Sequence, residues 1–134
     1  MQQQLSKEQL SSIANEYGSP VYVYHAEKIE EQLNKLKNAF ANSNAKFFYA
    51  CKSLTNINIL KLMRQYGANL DCVSINEVKL GLQAGFEPNQ ILFTPNCVDF
   101  EEIEAGKALG VHLNIDNISI LEQFGNRFGN TYPV

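Results

Sequence analysis

Lys52 closes the run Tyr49-Ala50-Cys51-Lys52, and two acids, Asp71 and Glu77, follow it 19 and 25 residues further on. A lysine at the end of an otherwise apolar strand sits where the surrounding wall partly desolvates its ammonium and favours the neutral amine. A neutral amine is a nucleophile toward aldehydes. The chemistry open to Lys52 is therefore Schiff-base formation, either with a carbonyl substrate or with pyridoxal phosphate. Asp71 is expected at a comparable level one strand on, facing the lysine as its counter-ion. Glu77 stands three places after Ser74, the spacing of a capping box, and from a first helical turn it can also reach a ligand. The plainer alternatives are a strand-end cation whose stem lies along apolar surface for Lys52, and a carboxylate bonded to loop amides for Asp71.

Other polar residues point to chemistry less directly. Cys51 and Cys72 flank Lys52 and Asp71, so their side chains are expected to point the other way along their strands, as small buried hydrophobes. With Cys97 they make an odd number of thiols without the close spacing of a zinc site or redox pair, and no metal site is expected. His25 and His112 lack a metal-ligand partner at helical spacing and read as structural histidines. Gly81, Gly85 and Gly106 form no phosphate-binding fingerprint. Thr94-Pro95-Asn96 ends a strand with two side chains able to donate to a ligand.

The elements that must position these residues follow a repeat. Apolar strands centred on Phe47, Leu70, Leu92 and Leu113 recur at steps of 23, 22 and 21 residues, each followed by a helical segment. The first repeat helix carries Ile59, Leu62, Met63 and Tyr66 on one face and stops at Gly67. The next two open with Ser74 to Glu77 and Asp99 to Glu102, both with capping-box spacing, and stop at Gly85 and Gly110. The last packs Ile120, Leu121, Phe124 and Phe128. Ahead of the repeat, a helix capped by Ser6 and Gln9 runs to Gly18, the segment Val21-Tyr22-Val23-Tyr24 reads as a strand, and a helix follows with the stripe Ile29, Leu33, Leu36, Phe40. Helical crossovers between neighbouring strands make the sheet parallel, with right-handed connections.

Four βα units fit an open doubly wound sheet or half of an eight-stranded barrel, which typically takes about 250 residues. Two features favour the half barrel. Polar and apolar residues alternate in Val111-His112-Leu113-Asn114-Ile115-Asp116, and Thr131-Tyr132-Pro133-Val134 reads as the start of a fifth strand. The expected fold is α/β: parallel βα repeats forming about half of a (β/α)8 barrel, with residues 1–134 as its N-terminal portion. The 134 residues, 45% hydrophobic and 19% charged, suit one domain. A net charge of -3 offers no cationic stripe for nucleic acid or an anionic membrane, and no apolar run approaches the roughly 20 residues that span a bilayer. A cytoplasmic protein is expected.

Three stretches resemble one known family. Tyr49-Ala50-Cys51-Lys52 matches the Tyr-Ala-x-Lys motif of the alanine-racemase-type, fold-type III pyridoxal-phosphate enzymes, and Asp71-Cys72-Val73-Ser74-Ile75-Asn76-Glu77 is similar to the Asp-x-x-Ser-x-x-Glu segment of that family's decarboxylases. Gly85-Phe86-Glu87-Pro88 through Thr94-Pro95-Asn96 is similar to their third βα unit, and the resemblance runs from Gly18 onward. The family's usual Ala-Asn after the lysine is replaced by Ser53-Leu54. Within the family the chain looks most like the branch that converts meso-diaminopimelate to L-lysine. The resemblance implies pyridoxal phosphate as cofactor, Lys52 as the lysine that holds it, Asp71 and Glu77 near that lysine, an amino acid as substrate and a homodimer as the working form. Other members, such as ornithine or arginine decarboxylases, alanine racemases and the pyridoxal-phosphate homeostasis protein, share these features. A small non-enzymatic α/β binding domain is the reading outside the family.

Overall fold

A computed structural model describes residues 5–134, which fall into two compact units divided between Ser43 and Asn44. In the first unit, Ser6 Oγ accepts from the Gln9 N–H while the Gln9 side chain accepts from the Ser6 N–H, so the expected capping box forms and opens α1 (Lys7–Tyr17). Gly18 closes that helix at φ 85°. The segment Val21 to Tyr24 makes no strand: its four apolar side chains are all exposed, and no neighbouring backbone pairs with it. Helix α2 (Ala26–Ala39) is capped by His25, whose Nδ1 accepts from the Lys28 N–H, and of its apolar stripe only Leu33 is buried.

The second unit is the repeat. Its order is β1 (Phe48–Ala50), α3 (Ile57–Gln65), β2 (Asn69–Cys72), α4 (Ile75–Gln83), β3 (Ile91–Phe93), α5 (Phe100–Ala108), β4 (His112–Leu113) and α6 (Ile118–Phe128). All strand pairs are parallel, and the spatial order β1-β2-β3-β4 follows the sequence. A doubly wound sheet reverses its order at a switch point, and this sheet does not reverse. The half-barrel expectation is met: the unit is a singly wound arc of four βα repeats. Residues 131–134 form no strand. Instead the Tyr132 hydroxyl donates to the Val111 carbonyl, and its ring stands edge-on to Phe124.

Period-2 alternation divides the sheet into two faces. Leu70, Ile91, Cys72, Phe93 and Leu113 point to the helices and are buried among Leu60, Val78, Ile103 and Phe124. Ala50, Asp71, Leu92 and His112 share a register row on the opposite face and are half-buried or exposed. The helices approach the wall closely through glycines that sequence reading left without a role. A Cβ on Gly81 would meet Leu70 Cδ2 at 2.5 Å, and one on Gly106 would meet Phe93 Cδ1 at 2.8 Å. In α6 the Phe124 and Phe128 rings meet at 4.9 Å, whereas Leu121 faces solvent.

Candidate functional site

The carboxyl ends of β1, β2 and β3 bring the sequence-marked residues to one edge. Lys52 lies just past β1, in a 3-10 turn over Cys51–Ser53. The Leu54 N–H donates to the Cys51 carbonyl at 3.0 Å, and the Tyr49 hydroxyl donates to the Leu54 carbonyl at 3.3 Å. The turn that carries the lysine is thus tied down through Leu54, by the first and third residues of the same four-residue motif.

Two expectations about this lysine need correction. Its side chain is exposed, so the strand wall does not desolvate it. Nor does Asp71 serve as its counter-ion: among the described residues no ion pair joins them. The turn has carried Lys52 beyond the strand, while Asp71 stays on β2, in register with Ala50. Asp71 instead accepts a hydrogen bond from Thr94 Oγ1 at 2.6 Å, linking the ends of β2 and β3. The Thr94 backbone N–H continues the ladder to the Cys72 carbonyl at 2.8 Å, which fixes where that hydroxyl stands.

Glu77 only half obeys the capping expectation. Its N–H donates to Ser74 Oγ, as a cap requires, but its carboxylate accepts from the Val73 N–H at 2.8 Å, one residue ahead of the cap. Glu102 departs further. Asp99 makes no side-chain cap, and the Glu102 carboxylate lies 3.5 Å from the Ile75 N–H at the start of α4. Glu77 nevertheless stands at the same end of the sheet as Lys52 and Asp71, in the first turn of α4.

Behind this edge lies a group that sequence spacing did not reveal. Cys51 and Cys72 are fully buried, as expected, but they also lie together, and one sulfur from each and a Glu77 carboxylate oxygen all fall within 4.8 Å of one another. Burial, reinforced by the Glu77 charge, pushes the Cys51 thiol up to about 11, and burial likewise raises the Cys72 thiol. Both are protonated at neutral pH. Cys97 is exposed, in the loop after β3. There it helps to line a shallow pocket with Pro95, Asn114 and Asp116, at the same end of the sheet. His112 is exposed on the open face, held by its backbone in the β3–β4 ladder.

One end of the parallel sheet thus presents a lysine, an aspartate and a glutamate, and comparison with known proteins supplies the family. Residues 26–131 match the pyridoxal binding domain of the pyridoxal-dependent decarboxylases. The chain belongs to that family, whose cofactor is pyridoxal phosphate. It is 38% identical over 111 residues to the diaminopimelate decarboxylase of Methanothermobacter thermautotrophicus, covering 81% of this chain and 26% of that protein. It is 34% identical over 125 residues to the diaminopimelate decarboxylase of Escherichia coli K12, covering 90% and 29%. The crystal structure of the M. jannaschii diaminopimelate decarboxylase in complex with L-lysine superposes with a TM-score of 0.80 at 28% identity, over 92% of this chain and 31% of that one. The chain therefore spans less than a third of the length of these relatives. No helix among the described residues is long and apolar enough to cross a membrane.

The site's donor set suits the family's cofactor. Forming a Schiff base with an aldehyde needs an accessible primary amine, and Lys52 offers one that is exposed and, among the described residues, bound in no ion pair.

Proposed function

We propose that this chain is the cofactor-anchoring part of an enzyme that decarboxylates meso-diaminopimelate to L-lysine. The observation that carries the reading is the position of Lys52: an exposed amine on a hydrogen-bonded turn at the carboxyl end of β1, at the same end of the sheet as the Asp71 and Thr94 pair. Substrate identity rests on the shared name of the two curated relatives given above.

When bound, pyridoxal phosphate supplies a sink for the electron pair released as carbon dioxide departs. Lys52 Nζ is the atom that would hold it. The Tyr49 hydroxyl and the Cys51 carbonyl orient the turn from which that nitrogen reaches. Asp71 keeps one carboxylate oxygen on Thr94 and has a second with which to orient a bound group, while Glu77 is held in place by the Val73 N–H. The same reading takes Asp71 and Glu77 as cofactor-side residues, the cytoplasm as location and a homodimer as the working form. Because the 111 aligned residues cover 26% of the M. thermautotrophicus protein, the chain is expected not to turn over alone.

Trapping with borohydride after addition of pyridoxal phosphate, followed by peptide mapping, tests the anchor. The expected result is one dominant label on Lys52, lost in Lys52→Ala. A label spread over the surface lysines and indifferent to that substitution would overturn the assignment. Release of lysine from meso-diaminopimelate by the 134-residue chain would overturn the expectation about turnover.

A further inference from the structure

We propose that Cys51, Cys72 and Glu77 form a binding site for a soft divalent cation of the zinc and cadmium kind, pinning the end of β1 to β2 and the first turn of α4. The three donors come from three different elements and converge to within 4.8 Å. Tetrahedral zinc with sulfur at about 2.3 Å places two sulfurs roughly 3.8 Å apart, so closing the site asks for movements of about 1 Å or less. Two thiolates and a carboxylate are a donor set that selects thiophilic cations over magnesium or calcium.

Two features of the surroundings favour a cation. Glu77 has no cationic partner among the described residues, and Asp71 adds a second carboxylate on the neighbouring position of β2, so local negative charge is left without an ion pair. The Val73 N–H holds one Glu77 oxygen at 2.8 Å and leaves the other free, the kind of supporting bond that orients a ligating carboxylate. Binding forms two metal–sulfur bonds and breaks two S–H bonds, and both protons pass to the buffer. Three protein donors leave a fourth position for water. The two sulfurs lie away from the proposed anchor, since Cys51 and Cys72 belong to the helix-covered core whereas Lys52 is exposed at the strand end; Glu77 is the residue that the two sites share.

The test uses the whole chain, reduced with a phosphine, refolded with cadmium and then freed of excess metal. The expected result is one cadmium per chain, an ultraviolet thiolate-to-cadmium charge-transfer band and a raised melting temperature, all retained in Cys97→Ser. The band is expected to disappear in Cys51→Ala and in Cys72→Ala. Because a core substitution can itself unfold the chain, Glu77→Gln provides a second reading: it keeps an acceptor for Val73 and is expected to loosen cadmium about tenfold or more. No band in the parent, a band lost with Cys97→Ser, or affinity unchanged in Glu77→Gln would each overturn the site.

Discussion

The two faces of the four-stranded sheet are built from alternate residues of the same strands, yet they answer to different constraints. The helix-covered face is apolar and fully packed, down to the glycines that let α4 and α5 approach Leu70 and Phe93. The open face carries Ala50, Asp71, Leu92 and His112 in one register row, mixes polar with apolar side chains, is half-buried or exposed, and is joined by the short side-chain bond from Thr94 to Asp71. One face carries the stability of the unit, and the other leaves side chains free to meet a ligand. Cys51 and Lys52 show how abrupt the change is, since adjacent residues are fully buried and exposed.

The sharpest way to break this contrast is to cut one large side chain from each face. Phe93→Ala is expected to cost ~3–5 kcal/mol in denaturant melts, because it empties a buried site, whereas Leu92→Ala next to it should cost no more than about 1.5 kcal/mol. Equal losses would show that the two faces are not distinct. Gly106→Ala tests the close approach directly. Its added methyl meets Phe93 and Leu113 at under 3 Å, and overpacking of about 1–3 kcal/mol is expected in place of the gain that alanine usually brings to a helix.

Alkali offers a third probe. The Cys51 thiol is raised in the folded chain from 9.0 to about 11, so its contribution is fully present below pH 9 and is lost as pH rises through about 11, with Cys72 extending the loss upward. The parent should therefore lose more stability across that window than a Cys51→Ala, Cys72→Ala double variant, as melts at stepped pH would report. At neutral pH a thiol reagent should modify Cys97 rapidly and the buried pair slowly. The smallest effect belongs to the open face. Thr94→Val removes the bond to Asp71 at about 1 kcal/mol, and it should weaken retention of pyridoxal phosphate more than it lowers the melting temperature. A stability loss with unchanged retention would make that bond part of the wall's support instead.

The repeat was legible in the sequence because strand spacing and glycine stops at Gly67, Gly85 and Gly110 are local, and all three glycines do sit at positive φ. The alternation in Val111 to Asp116 was legible for the same reason, although only His112 and Leu113 pair as β4. What failed needed knowledge of neighbours. Tyr22 and Val23 have strand propensity but no backbone to pair with. Glu77 and Glu102 have capping-box spacing, but the Glu77 carboxylate reaches one residue further back, to the Val73 N–H, and the Glu102 carboxylate lies against the Ile75 N–H of the preceding repeat. The Lys52 motif stands at a strand end, as its pattern predicts, while the turn that exposes the amine, and the meeting of Cys51 with Cys72, follow from a register that no single segment encodes.

The 2.6 Å bond from Thr94 to Asp71 bears on how such arcs can be recombined. Its donor and acceptor lie in successive βα units, so a chimera that exchanges the β2 module for a foreign one keeps the geometry only if the following module travels with it. Crossover points placed between Gly110 and Val111 preserve the pair; those placed within residues 73–93 separate it.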